Sequence, residues 1–257
     1  MNAVPGSPPA EINATAPTAP MDLANYDFLD FGASKGSSIT FAVKHLGGKQ
    51  GLGIDIRPAK VQKMIEAGFA CIRGDVTDLA LPPDSVRFVV MCHFLEHLPN
   101  LDAVERALRS AVRVATDFLF IRGPFFDADD YLRRLGLKFY WSDWPGGHNC
   151  HLRVAELYGL LVKLELKDFV FCLRDEMRHS SATSLHPLNS PHSQHEYDAN
   201  IHPPKRDFDL PEPVYREFSC CVPLRQLDDW DDVLQVLKGM RLIDARTFRY
   251  KLDGDSR

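Results

Sequence analysis

Several features are missing from this 257-residue chain, and each absence narrows the reading. No apolar stretch is long enough to span a bilayer. The first twenty residues hold five prolines but neither the basic nor the apolar region of a secretory leader. A cytoplasmic protein with no membrane span is therefore expected. None of the six cysteines forms a C-x-x-C pair, and four sit inside apolar runs, which predicts buried free thiols in a reducing compartment. There is no long basic block, and the formal net charge is -5, so no electrostatic footprint for nucleic acid is visible and no nucleic-acid partner is expected. There is no internal repeat. With 45% hydrophobic and 25% charged residues, what remains is ordinary globular composition, sufficient for one good core.

Residues 1–22 read as a disordered, proline-interrupted tail and residues 23–257 as one domain. Within that domain short apolar runs alternate with amphipathic segments. Strands are predicted over residues 26–31, 51–56, 69–73, 86–92 and 118–121. Helices are predicted over 37–46, 59–67 and 101–114. Residues 86–92 are almost continuously apolar, as when both faces of a sheet are covered. This alternation predicts an α/β fold with a mostly parallel, doubly wound sheet and helices on both faces. Beyond Pro124 the pattern loosens. Helices at 129–135, 154–166 and 228–237 and strands at 168–173 and 218–222 are expected, with a surface insertion at 180–204 rich in Ser, His, Pro and Asn.

The first strand runs into Asp30, then Gly32 and Gly36, and then a helix. Such a turn brings backbone N–H groups close to a bound ligand. Asp55 ends the second strand and Asp75 follows the third. The fourth strand runs into Cys92-His93-Phe94-Leu95-Glu96-His97. In a doubly wound sheet these ends share one edge, where ligands bind. A strand-end carboxylate there can accept both hydroxyls of a ribose.

The motifs Asp30-x-Gly32-x-Ser34-x-Gly36, Gly53-Ile54-Asp55, Gly74-Asp75-Val76-Thr77-Asp78 and His93-Phe94-Leu95-Glu96-His97-Leu98, in this order, resemble those of the class I S-adenosylmethionine-dependent methyltransferases, the small-molecule type in particular. The resemblance covers residues 26–126. It implies a Rossmann-like fold and S-adenosylmethionine as cofactor. It further implies a small-molecule acceptor, with glycan- and lipid-linked molecules within that class. The cofactor-binding residues it implies are Asp30, Gly32, Ser34 and Gly36 of the turn, Asp55 and Ile56, Asp75 and Val76, and His93. Ser34 departs from the family by standing where a glycine is usual.

Candidates for a general base are His148 and His151, in an aromatic, turn-rich segment, and His97; each also reads as an ordinary loop histidine. Tyr140, Trp141 and Trp144 fit either an acceptor-stacking wall or core. His186, His192, His195 and His202 lack the partners of a recognisable zinc set, so they read as a solvated insertion and no metal site is expected. Two rival readings stay open: a nicotinamide-dependent oxidoreductase, and a non-catalytic relative that binds or regulates a partner.

Overall fold

The computed structural model describes residues 22–245 except 145, 146, 193 and 194. The tail expected at 1–22 thus lies, apart from residue 22, outside the described residues.

The first half follows the predicted alternation. Strand β1 (Phe28–Phe31) leads to α1 (Ser37–His45), β2 (Gly51–Asp55) to α2 (Pro58–Glu66), and then come β3 (Cys71–Arg73) and β4 (Val86–Cys92). Helix α3 (Leu101–Val114) runs directly into β5 (Ala115–Pro124). Proline opens α2, where its missing N–H is not needed. The Asn100 side chain caps α3 by accepting from the Ala103 N–H at 3.0 Å. Ala103, Val104, Ala107, Leu108, Ala111 and Val114 of α3 are buried at helical spacing.

The second half contributes α4 (Asp129–Arg134), β6 (Leu137–Phe139), α5 (Val154–Lys163), β7 (Val170–His179), β8 (Leu185–Pro187), β9 (Asp209–Pro223), α6 (Trp230–Leu234) and β10 (Arg241–Ile243). Eight strands form one sheet in the order β10-β7-β9-β5-β4-β1-β2-β3. From β3 to β5 neighbours run parallel; β9, β7 and β10 extend the sheet antiparallel. Alternate side chains of β1 and β4 feed two cores. Phe28, Phe88 and Val90 pack toward α1 and α2, whereas Leu29, Val89 and Met91 pack toward α3. Phe28, Phe88 and Phe118 stack across three strands at centroid distances of 4.8 and 4.6 Å. The sheet is thus covered on both faces, as expected. Among the described residues no helix is long and apolar enough to cross a membrane.

Several expectations change; strand β5, for one, runs over Ala115–Pro124 where 118–121 was expected. Strand β9 runs over fifteen residues where only 218–222 were expected. Strand β7 extends to His179, because it pairs with β9 along nearly its whole length. Helix α5 ends at Lys163 rather than 166. The stretch 180–204 is only partly solvated: β8 pairs antiparallel with β6 and Ser184, His186, Ser190 and His202 are buried, whereas Leu188, Asn189, His192 and Ile201 are exposed. Its polar composition is compatible with burial because backbone and lysine donors meet its carbonyls. Lys138 donates to Ser190 O at 2.7 Å, and Lys205 donates to Ala182 O and Leu185 O at 2.8 Å.

Candidate active site

Every crossover of the parallel half leaves its strand at the same edge, and the candidate residues collect there. Gly32 has φ +74°, and a Cβ on it would overlap the Phe94 ring, so glycine is required both for the turn and for the ring beneath it. Ser34 also adopts a left-handed backbone, φ 50°. Its N–H donates to Asp55 Oδ2 at 3.2 Å, while the Arg57 N–H donates to Asp55 Oδ1 at 2.9 Å. Two backbone donors therefore fix the Asp55 carboxylate; Arg57 Nε also reaches Oδ1 at 3.4 Å, so it is Oδ2 that keeps an unused acceptor site. Asp75 is exposed, with one oxygen holding the Thr77 N–H and hydroxyl at 2.9 and 2.8 Å. Ile56, an apolar side chain 56% exposed, stands open at the rim.

These groups line a cavity of about 550 Å³, in the size range of small-molecule and cofactor sites. Gly32, Ser34, Asp55 and Ile56 form one side; Asp75, Val76 and His93 join them. Asp30 and Gly36 do not line it. Asp30 is fully buried below the turn and accepts from the Ser38 hydroxyl at 2.5 Å. Its other oxygen has no hydrogen-bond partner. Burial pushes its carboxyl up to about 7, against the Ser38 bond and with the help of the Asp55 charge. Gly36 opens α1 at φ +81°, and a Cβ there would come within 2.6 Å of Phe69.

A second chamber, about 270 Å³, shares His93, His97 and Trp144 with the first. Its other walls come from distant parts of the chain: Glu96, Tyr140, Trp141, His148 and the β9 pair Arg216 and Glu217. Sequence reasoning had marked the aromatic residues but missed Arg216 and Glu217, which lie on a strand it had drawn too short. Arg57 and Arg106 at the first cavity were missed as well. The segment after Phe139 is tied onto the turn after β4 by hydrogen bonds. Asn149 and Cys150 N–H groups donate to Glu96 O at 3.0 and 3.1 Å, and His97 Nδ1 donates to Gly147 O at 2.5 Å.

The three candidate base histidines separate. His97 and His148 are neighbours, 5.0 Å between ring centroids, and both line the smaller chamber. His148 is drawn below its ordinary range mainly by burial, against the raising effect of the Glu96 charge. His151 lies elsewhere: it stacks on Phe126 at 4.4 Å and pairs with Asp129 at 3.4 Å, and it lines neither cavity. His93 carries charge at neutral pH. Burial of its inner edge opposes protonation, but Glu217, 3.2 Å from Nε2, and Glu96 outweigh it and raise the imidazolium to about 9.

A methyltransferase-domain family model matches residues 29–117, the span from β1 into β5. Among solved structures, the chain is similar to a SAM-dependent methyltransferase of Archaeoglobus fulgidus at 16% identity and a TM-score of 0.53, covering 76% of this chain and 85% of that one. It also aligns with a possible histamine N-methyltransferase of Thermotoga maritima at 16% identity and a TM-score of 0.47, over 78% and 82% of the two chains. No curated protein matches.

Proposed function

From the premise that this chain is a class I S-adenosylmethionine-dependent methyltransferase, its sequence matching a methyltransferase-domain family model over residues 29–117, we propose that it methylates a small-molecule acceptor whose reacting end enters the aromatic chamber. Acceptors linked to a glycan or lipid fall within this class, since the chamber admits only a small group and leaves the rest of such a molecule outside. One observation carries the reading. A cavity built from strand-end carboxylates and a glycine turn shares a wall with a smaller chamber of aromatic and ionisable side chains.

The first cavity fits the cofactor. Gly32 leaves backbone where a Cβ would strike Phe94, and Asp55 is buried yet retains acceptor capacity toward the cavity. Asp55 would take the ribose hydroxyls, Asp75 with the Val76 backbone N–H the adenine edge, and Ile56 a face of the ring. The backbone of Gly32 and Ser34 would lie along the amino-acid portion, with His93 at the wall common to both cavities. Asp30 and Gly36 act as positioning residues, holding the turn from below. When bound, S-adenosylmethionine supplies an electrophilic methyl group: the acceptor lone pair forms the new bond to carbon, and the S–CH3 pair stays on sulfur as a neutral thioether. What the chain itself contributes is alignment and exclusion of water. Tyr140, Trp141 and Trp144 bound the acceptor with apolar faces, while activation of its nucleophilic atom falls to Glu96, His97 and His148.

Calorimetric titration with S-adenosylhomocysteine and, separately, NAD tests the first half of this reading; binding of the former alone is expected, and tight binding of NAD alone would overturn it. Incubation of the protein with isotope-labelled methyl donor and small-molecule extract tests the second half. A labelled low-mass product is expected by mass spectrometry; label confined to macromolecules would sink the acceptor class.

A further inference from the structure

Glu96, His97 and His148 each present a donor atom within 4.8 Å of those of the other two, and all three line the smaller chamber. Proximity alone says little, but the hydrogen bonds around the cluster say more. His97 Nδ1 lies 2.5 Å from Gly147 O, and His148 Nδ1 lies 3.0 Å from Trp141 O. A carbonyl oxygen has no proton to give. Each Nδ1 must therefore carry the hydrogen, and each ring keeps its lone pair at Nε2. Two imidazoles fixed in that tautomer by backbone carbonyls have the outer bonding pattern of metal-ligating histidines.

The third member supplies an independent signal. Glu96 is 2% exposed, and its Oε1 has no hydrogen-bond partner. His93 Nδ1 is 3.5 Å away, too long for a good hydrogen bond. Leaving a carboxylate oxygen buried and unbonded is unfavourable. A ligand that accepts its lone pair removes that penalty. His93 keeps Glu217 at 3.2 Å when Glu96 turns to such a ligand.

We propose that Glu96, His97 and His148 form a binding site for a divalent first-row transition-metal ion, with zinc the best match. Two imidazole nitrogens and one carboxylate oxygen suit zinc better than the all-oxygen preference of magnesium or calcium. Tetrahedral zinc places its ligands about 3.3 Å apart, so donors within 4.8 Å of one another need close by no more than about 1.5 Å, which side-chain torsions can supply. Three protein ligands leave one coordination position, and it opens toward the chamber that bounds the acceptor. There a cation lowers the pKa of a hydroxyl or thiol on the acceptor, the activation this cluster was given above. That assignment rests on the acceptor reading of the chamber; the site itself does not. It also departs from the sequence expectation of no metal, because Glu96 and His148 are 52 residues apart and carry no recognisable spacing.

The test uses full-length protein stripped of metal with a chelator, then titrated with Zn²⁺ and with Co²⁺. One equivalent of either is expected, with the visible absorption of four-coordinate Co²⁺. Glu96→Gln, which preserves shape, and His148→Ala should each weaken Zn²⁺ binding by at least about 100-fold, whereas His192→Ala should leave it within twofold. Thermal melts of the metal-free variants show whether they fold; if His148→Ala does not, Glu96→Gln carries the test. No stoichiometric binding, or binding indifferent to Glu96→Gln, overturns the proposal. S-Adenosylhomocysteine titrations of the same samples keep the two claims apart: failure there counts against the function, not against the metal site.

Discussion

The two cavities meet at His93, His97 and Trp144, yet they are built by different rules. The larger one is assembled by topology. Asp55 and Asp75 each follow a strand, Gly32 follows another, and the parallel sheet delivers them to one edge without further instruction. The smaller one is assembled by cross-bonding. Glu96, His148 and Glu217 come from a turn, a loop and an antiparallel strand, held together by contacts such as Asn149 N–H to Glu96 O and His97 to Gly147 O. A site of the first kind can keep its ligand while the second kind changes, which is how one fold serves many acceptors.

The sharpest way to break this comparison is at Asp55. Asp55→Ala removes the proposed ribose acceptor and also the group that holds the Ser34 and Arg57 N–H groups. Charge-assisted hydrogen bonds of this kind are worth about 1.5–3 kcal/mol each, so S-adenosylhomocysteine affinity should fall about 100-fold by calorimetry. A loss under threefold would mean that the strand-end carboxylates do not hold the cofactor. On the other side, Tyr140→Ala should lower the yield of labelled product about tenfold and leave S-adenosylhomocysteine affinity within twofold. If both fall together, the two cavities are one functional unit and the contrast fails.

Protonation separates the halves in another way. His186 is fully buried, its ring centroid 4.2 Å from that of His202. Burial first, then the charges of His202 and Lys205, hold its imidazole down to about 4. Its ordinary value is about 6.5, so the unfolded chain binds the extra proton first as pH falls. Stability is full above pH 6.5 and is lost as pH falls toward 4, on the order of 3 kcal/mol. Asp30 behaves in the opposite sense. With its carboxyl raised from 3.8 to about 7, the folded state holds the proton that the unfolded chain releases, so stability is lost as pH rises across that window. The two slopes oppose each other in the native chain. Urea unfolding from pH 4.5 to 8 should therefore show His186→Phe gaining relative to wild type at the acid end and Asp30→Asn gaining at the neutral end. Parallel profiles for all three proteins would show that neither group is perturbed as described.

The same division explains what could be read in advance. Strand Val86–Cys92 and helix Leu101–Val114 were legible to the residue, because an unbroken apolar run and a helical apolar stripe leave no other placement. Asp55 and Asp75 were legible because local order along the chain is also order along the sheet edge. Arg216 and Glu217 were not. They belong to β9, whose N-terminal part contains Pro211, Glu212 and Pro213 and lacks a strand-like apolar pattern; pairing with β7, not local propensity, makes it a strand. His186 was assigned to solvent by the composition around it. Its burial comes from β6, which pairs with β8 across nearly fifty residues of chain, a partner that no local window contains. His148 and His151 are three residues apart and looked equivalent; only tertiary packing turns one to the chamber and the other onto Phe126.

The smallest expected effect concerns the one departure from the family motif. Ser34 holds φ 50°, a conformation that disfavours a residue with a Cβ by about 1 kcal/mol relative to glycine. Two bonds compensate. Its N–H donates to Asp55 Oδ2, and its hydroxyl accepts from Lys60 Nζ at 3.2 Å. Only the second depends on the side chain, and it joins a half-buried hydroxyl to a solvent-accessible lysine, so it is worth a few tenths of a kcal/mol. Ser34→Gly should therefore raise unfolding stability by about 0.5 kcal/mol and leave S-adenosylhomocysteine affinity within twofold, because the backbone donor to Asp55 survives. A destabilised variant with weakened cofactor binding would instead show that the Lys60 contact sets the turn. In that case the larger cavity, too, depends on cross-bonding, and the distinction between the two sites narrows.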